Sequence, residues 1–483
     1  MIGPEAIAQA QRELGRQLAA YREAAGYNQA ALAPFTGYSR STVANVETGR
    51  QAAPLQFWEC CDEKLATGGA LVAKYQEIEA LKAKRQQETI QALQAEREAR
   101  LHETTSQLAA VEPQEDRAEP AASDWASDLA EARQNAVALW GEEFDQTRLN
   151  TQDAMASSAA ALRWLVASDD TTTAHDAGWR RVGWADVERI RGVRRQLKAM
   201  DNAHGGGAAF PMAVTYLRRE VAPLLRGRYD AAAGKSLFGA VAELSLDVGW
   251  MAYDGGGHRL GRRYMTLALR LSHAAEDRLF GGRVLTAMSH QALHLGHVRL
   301  AVDLACAARM GTAHAAPPKA AAMITAMEAM AQAAAGDVVH CTAALVAAEK
   351  ALGRARADDD NPDWLDFDEG GLWGHAARAY RYLQKASDCA RYAQDSIDHC
   401  RSDHGRTRAQ RHAILANGHL QLGHLDQAAA LGSKIVTEAW NLHSRHVYEE
   451  VALLSRALDG KRARGSRDFL DQAREYLLAR RSS

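Results

Sequence analysis

The strongest constraint in this chain is a repeat. Turn glycines recur in equal steps at Gly256, Gly296 and Gly336, and two further turns fall at Gln384 and Gly423, after one longer step and one of nearly the original length. Five positions after each turn stands a small residue: Gly261, Ala301, Cys341, Cys389 and Ala428. The first two repeats also agree in between, GGHRLG against GHVRLA. A period of about 40 residues is two helices plus their turns. The small-residue column is what a helix hairpin needs where its second helix crosses closely over its first. Stacked hairpins bury a continuous core and leave one concave face. The spacing therefore predicts an all-α chain with an α-solenoid in its C-terminal part.

Composition agrees. Alanine supplies roughly one residue in five, and alanine is the best helix former, whereas strands need β-branched and aromatic residues. The 483 residues suffice for about three domains. Lys+Arg is 58 against Asp+Glu 60, so no global basic field draws the chain to nucleic acid. Six cysteines without a CxxC pair exclude a disulfide scaffold. The start, MIGPEAIAQAQRELG, has no basic n-region or apolar h-region, and no apolar run approaches the length of a membrane span. A cytoplasmic protein without a membrane partner is expected.

The boundaries follow from changes in character. Residues 1–70 carry short helical patterns broken by Gly26, Gly37, Gly49 and Pro54. Residues 71–111 read as one long charged helix: Lys74 to Glu103 holds six Lys/Arg and six Glu without Gly or Pro. Its apolar positions follow a heptad only loosely, which leaves both a two-stranded coiled coil and a single spacer helix open. Residues 112–124 are an acidic, proline-containing linker. Residues 125–483 form the helical region. Its repeats, at about 240–440, resemble tetratricopeptide (TPR) repeats in a longer, degenerate form. Asp358–Asp363 falls in the longer interval, before Gln384, and reads as a solvated loop.

Residues 14–54 carry the functional signal. Leu14, Leu18 and Tyr21 mark a first helix ending near Gly26, and Asn28 is placed to cap a second helix bearing Leu32. Gly37 makes a tight turn, after which Ser39 caps a third helix with Val43 and Val46 on its buried side. Arg40, Ser41, Thr42 and Asn45 lie on the opposite face, where side chains reach base edges or phosphates if that helix enters a major groove. In residue type and spacing, Leu18, Arg22, Gly26, Gln29, Leu32, Ala33, Gly37, Ser39, Val43, Glu47, Gly49 and Pro54 resemble the XRE-type, lambda-repressor-like helix-turn-helix. This five-helix-type domain, a long helix and a TPR-like tail together resemble the actinobacterial XRE–TPR regulators. The resemblance implies that Gln29 contacts a phosphate, that Arg40, Ser41 and Asn45 read bases, and that Thr42 and Arg50 steady the backbone, with Ser39 at the same interface.

Two features depart from the family pattern. Pro34 falls inside the second helix, where it removes a backbone bond and is expected to kink it. Residues 1–70 also hold six Lys/Arg against seven Asp/Glu, so phosphate attraction must be local and a homodimer is expected to supply what one module lacks.

Other patterns are weaker. His290, His294 and His297 stand at i, i+4 and i+7, a spacing that suits a metal, but no acidic or cysteine partner accompanies them, and repeat packing or groove lining is the expected role. Ala233-Gly234-Lys235-Ser236 lacks the first glycine of a P-loop, since Tyr229 stands there. Cys60 and Cys61 are adjacent and unsuited to pair with each other. Trp179, Trp184, Trp364 and Trp373 are expected in the core rather than in a groove. No catalytic residue, cofactor or metal is implied. The reading is a sequence-specific regulator binding double-stranded operator DNA, whose TPR-like region takes a peptide or small-molecule effector, dimerises, or both. The alternatives are a TPR adaptor with a vestigial helix-turn-helix and a metal-dependent sensor or enzyme centred on the histidines.

Overall fold

The computed structural model describes residues 4–81 and 125–480, apart from 52, 148, 171, 314–315, 357–358, 360 and 462–464. Most of the long charged helix, from residue 82, and the whole linker lie outside the described residues. Within them the chain is α-helical and has no strand; extended pairing is confined to the bridges His175–Tyr229 and Arg181–Arg228. The chain divides into two compact units, residues 1–118 and 119–483.

The first unit comprises α1 (Pro4–Ala24), α2 (Gln29–Thr36), α3 (Arg40–Glu47), α4 (Leu55–Leu65) and α5 (residues 70–81). Leu14, Leu18, Leu32, Val43, Val46, Phe57, Trp58, Leu71 and Ile78 form its core. The start of α5 is fixed by Asp62 of α4, whose carboxylate accepts from the backbone N–H groups of Leu71 (3.0 Å) and Val72 (2.8 Å). That satisfies two of the donors a helix N-terminus leaves orphaned.

The second unit opens with α6 (Leu129–Leu139), α7 (Thr151–Val166), α8 (Trp184–His204) and α9 (Gly206–Tyr216), the last continuing through a π turn into α10 (Ala222–Leu225). Six hairpins follow. They are α11 (Ala231–Asp254) with α12 (His258–Ala274), α13 (Arg278–His294) with α14 (Val298–Thr312), and α15 (Pro318–Ala334) with α16 (Val338–Leu352). Then come α17 (Glu369–Tyr382) with α18 (Ala386–Asp398), α19 (Gly405–Gln421) with α20 (Leu425–Ala439), and α21 (Arg445–Leu458) with α22 (Ser466–Ala479).

The two sequence columns have direct structural causes. All five turn positions are left-handed, with φ of 95° at Gly256, 81° at Gly296, 80° at Gly336, 57° at Gln384 and 78° at Gly423. Gln384 adopts there what glycine adopts in the other four, at a steric cost of about 1–2 kcal/mol. The residues five positions on are all buried. At Gly261 a Cβ would lie 2.8 Å from the Gly249 carbonyl oxygen of the facing helix, so α11 and α12 approach to backbone contact. The sixth hairpin, joined by the longer segment 459–465, lies beyond the array read from sequence.

The first helices of the hairpins (α11, α13, α15, α17, α19, α21) pack on one another in succession, whereas among the second helices only α20 and α22 pack comparably. The first helices therefore form the inner wall. That wall closes on itself. His443, just before α21, donates its N–H to the His204 carbonyl (2.7 Å) and accepts from Gly207 N–H (2.9 Å). Asp254 at the end of α11 accepts from Gly206 N–H (2.9 Å) and from the Ser444 hydroxyl (2.7 Å). Arg406 of α19 grips buried Asp201 of α8 through both guanidinium nitrogens, at 2.5 and 3.0 Å.

Two minor expectations need correction. Trp179 and Trp184 are not core residues: they are 93% and 60% exposed. Trp364 does pack inward, edge-on to Phe280 at 5.3 Å, and Trp373 rests half-buried on His399. Ala233-Gly234-Lys235-Ser236 is the first part of α11, and Lys235 pairs with Glu276 at 2.5 Å rather than facing a phosphate loop. Between α16 and α17 the described residues are non-helical up to Asp368, Asp359 and residues 361–363 of the acidic insert among them.

Candidate nucleic-acid interface

The α2–turn–α3 segment is built by local signals. Asn28 caps α2, its side-chain oxygen accepting from Ala31 N–H at 2.9 Å. Gly37 ends the helix at φ 73°, a conformation open to glycine without a Cβ penalty. Ser39 then caps α3, accepting from Thr42 N–H at 3.2 Å. Val43 and Val46 are buried on one side of α3. Pro34 occupies the second turn of α2, which nonetheless runs on to Thr36. The proline removes the donor that would meet the carbonyl of Ala30, which is exposed, so water can take that bond.

One buried ionic network ties α3 to α1 and α2. Arg22 of α1 grips Glu47 at the end of α3 through Nε (2.5 Å) and Nη2 (3.1 Å), and donates a further bond to the Tyr27 carbonyl at 2.8 Å. The Glu47 carboxylate holds the guanidinium above its ordinary pKa, against the opposing effect of burial. Gln29 Nε2 donates to the same carboxylate at 2.7 Å. All three helices of the motif thus meet at Glu47. Gly15 of α1 lies against the end of α3, where a Cβ would fall 2.4 Å from the Val46 carbonyl oxygen. Sequence reasoning passed over Gly15, although its place three residues before Leu18 in the first helix was readable.

The predicted contact residues divide into three groups. Along α3, Arg40 and Ser41 are exposed and Thr42 and Asn45 partly so, and Arg50 is exposed in the turn that follows the helix. Ser39 is a folding residue as well: its hydroxyl, besides capping α3, lies 2.8 Å from that of Ser41 and 3.0 Å from that of Thr42. Gln29 differs from the expectation in that its side-chain amide is committed to Glu47. A phosphate at the start of α2 would meet the orphan N–H groups of the first turn, with the Gln29 amide joining only if it exchanges that bond.

A family model described as a helix-turn-helix domain matches residues 13–74, from the middle of α1 through the first part of α5. No curated protein matches the chain. The N-terminal unit is thus a helix-turn-helix domain, the class in which the second helix of the motif lies in the major groove and the first crosses the backbone. Among the described residues no helix is long and apolar enough to cross a membrane.

Proposed function

We propose that this chain is a sequence-specific, XRE-type transcriptional regulator acting in the cytoplasm on double-stranded operator DNA, and that it is a binding protein rather than a catalyst. The observation that carries the reading is the face of α3: Arg40, Ser41 and Asn45 stand outward on a helix whose other side is locked by Val43, Val46 and the Arg22–Glu47 pair. Arg40 and Asn45 suit bidentate readout of guanine and adenine, and Ser41 suits either. Thr42 and Arg50, with the first turn of α2, take the phosphates. The near-neutral charge of residues 1–70 makes one module a weak binder, which favours a homodimer on two half-sites. The TPR-like array serves as the sensing or dimerising part, with a peptide or small molecule on its inner face shifting the population that docks.

Fluorescence anisotropy of the full chain tests this, using DNA from upstream of its own gene and a scrambled duplex at several salt concentrations. The expected result is tight binding to the first alone, with Arg40→Ala weakening specific binding by about 1–3 kcal/mol per half-site and leaving non-specific binding nearly unchanged. Equal, weak binding to both duplexes, unaltered in Arg40→Ala, would favour an adaptor whose helix-turn-helix is vestigial.

A further inference from the structure

The inner wall of the closed array carries a second set of side chains outside the DNA-binding motif. On α13, Arg283, His290 and His294 form one helical face and are partly accessible, while the residues between 283 and 290 are buried. On α17 the corresponding face is His375, Arg378 and Tyr382. His290 and His375 each feel the charge of both Arg283 and Arg378, and α21 adjoins both faces. His446 of α21 shares a 2.7 Å hydrogen bond with His294, and Arg381 of α17 pairs with Glu450 of α21 at 3.2 Å. Trp250 of α11 meets His290 edge-on at 5.2 Å.

Two cations here have no carboxylate of their own among the described residues. Arg283 bonds only weakly, to the Thr286 hydroxyl at 3.4 Å, and Arg378 bonds to the Gly374 carbonyl at 3.2 Å. The nearby acids are already taken. Asp247 pairs with Arg194 at 2.9 Å, and Glu450 pairs with Arg381. A third guanidinium, Arg411, flanks Gly374 on the same side as Arg378, and its bond goes to the Ser396 carbonyl. Burial and neighbouring cations push Arg378 down to about 10 and His375 down to about 4. His290 lies far below its ordinary value for the same reasons. Two polar atoms at the centre, His290 Nδ1 and Trp250 Nε1, are buried without a hydrogen-bond partner. Guanidinium groups without an ion pair of their own and unmet polar atoms on neighbouring faces are costly unless something binds there.

We propose that the inner ring is a binding site for a small anionic ligand whose carboxylate or phosphate group is held by Arg283 of α13 and Arg378 of α17, with Trp250 and His290 meeting its remaining part. The guanidinium fork matches both anions, and the neutral histidines supply donors and acceptors without adding charge. The inference deepens the effector role proposed above by naming the ligand's chemistry, and it is tested without DNA, so a failure of operator binding leaves it standing.

Thermal unfolding of the full chain, in sodium chloride against sodium phosphate and sodium citrate at matched ionic strength, provides the test. One of the two anions should stabilise the array with a saturable dependence, raising the folding constant about elevenfold at ten times its Kd. The phosphate and citrate arms separate a phosphate from a carboxylate preference. Arg283→Gln and Arg378→Gln should each abolish most of that response, and Arg378→Gln should be no less stable than wild type in chloride, because it removes a desolvated cation beside Arg411. The proposal is overturned by the absence of a saturable response to either anion. A response that both variants retain would place the anion elsewhere and overturn it too, as would a marked loss of stability of Arg378→Gln in chloride.

Discussion

Removing the Glu47 carboxylate should strongly destabilise the DNA-binding unit while sparing the array. The Arg22 and Glu47 side chains are 8% and 5% exposed, and Glu47 also accepts from Gln29. Glu47→Ala leaves the guanidinium buried with only the Tyr27 carbonyl and the exposed Glu23 carboxylate as partners. Breaking a buried pair in this way costs about 3–5 kcal/mol. A unit of roughly 80 residues has a total stability of about 4–12 kcal/mol, so the loss takes up a large share of it. The double replacement Arg22→Met/Glu47→Leu removes both charges and should recover most of the loss, because apolar pairs of similar volume commonly match a buried ion pair. Hydrogen exchange of the α1–α3 amides in the full chain reads this unit separately from the array. Glu47→Ala should lower protection there by two to four orders of magnitude, since a tenfold change corresponds to about 1.4 kcal/mol, with the α11–α20 amides unchanged. A drop of less than tenfold, or a double variant as weak as the single one, would refute the view that this pair holds α3 to α1.

The remaining outcomes concern the array. Gly261→Ala, which forces a methyl against the Gly249 carbonyl, should cost about 1–3 kcal/mol in chemical denaturation. Gly423→Ala, with nothing within 4 Å of the added carbon and only its φ of 78° to strain, should cost about 1 kcal/mol. Array stability should fall as pH drops from the ordinary histidine value of 6.5 toward 4, because the unfolded chain takes up protons there that native His375 refuses; the loss is about 2–3 kcal/mol from this residue, with His290 and His446 acting in the same direction, and His375→Gln should flatten that slope. Arg406→Met should cost about 3–5 kcal/mol in urea unfolding, since it leaves buried Asp201 with Lys198 as its remaining cation and buried Asp254 with neutral donors.

What the sequence disclosed was local. Caps at Asn28 and Ser39, the turn at Gly37 and the hairpin turns each depend on a few adjacent residues, so their spacing was readable before any contact was known. Even Gln384 fell on the repeat register, because the turn geometry outweighs the preference for glycine. What stayed hidden depends on neighbours distant in sequence. Gly15 is dictated by the Val46 carbonyl, Asp62 by the start of α5, and the inner ring by residues as far apart as His290 and His446. Gln29 could be placed at the head of α2 from sequence, but its commitment to Glu47 could not. Trp179 and Trp184 went astray for the complementary reason: residue type favours the core, and only the path of the chain puts them outside.

The junction of His204 and Gly205–Gly207 with His443 and Ser444 has a consequence for how the array behaves in time. An open stack of hairpins frays from its termini, and each unit can melt almost independently of distant ones. Here the last hairpins are fastened to the helices that precede the first, so the terminal units have no free edge from which melting can begin. Opening should be cooperative, and the least protected amides should lie beside the junction rather than at α22. A ligand that prefers the closed ring should therefore protect the amides of all the hairpins together rather than those at one end.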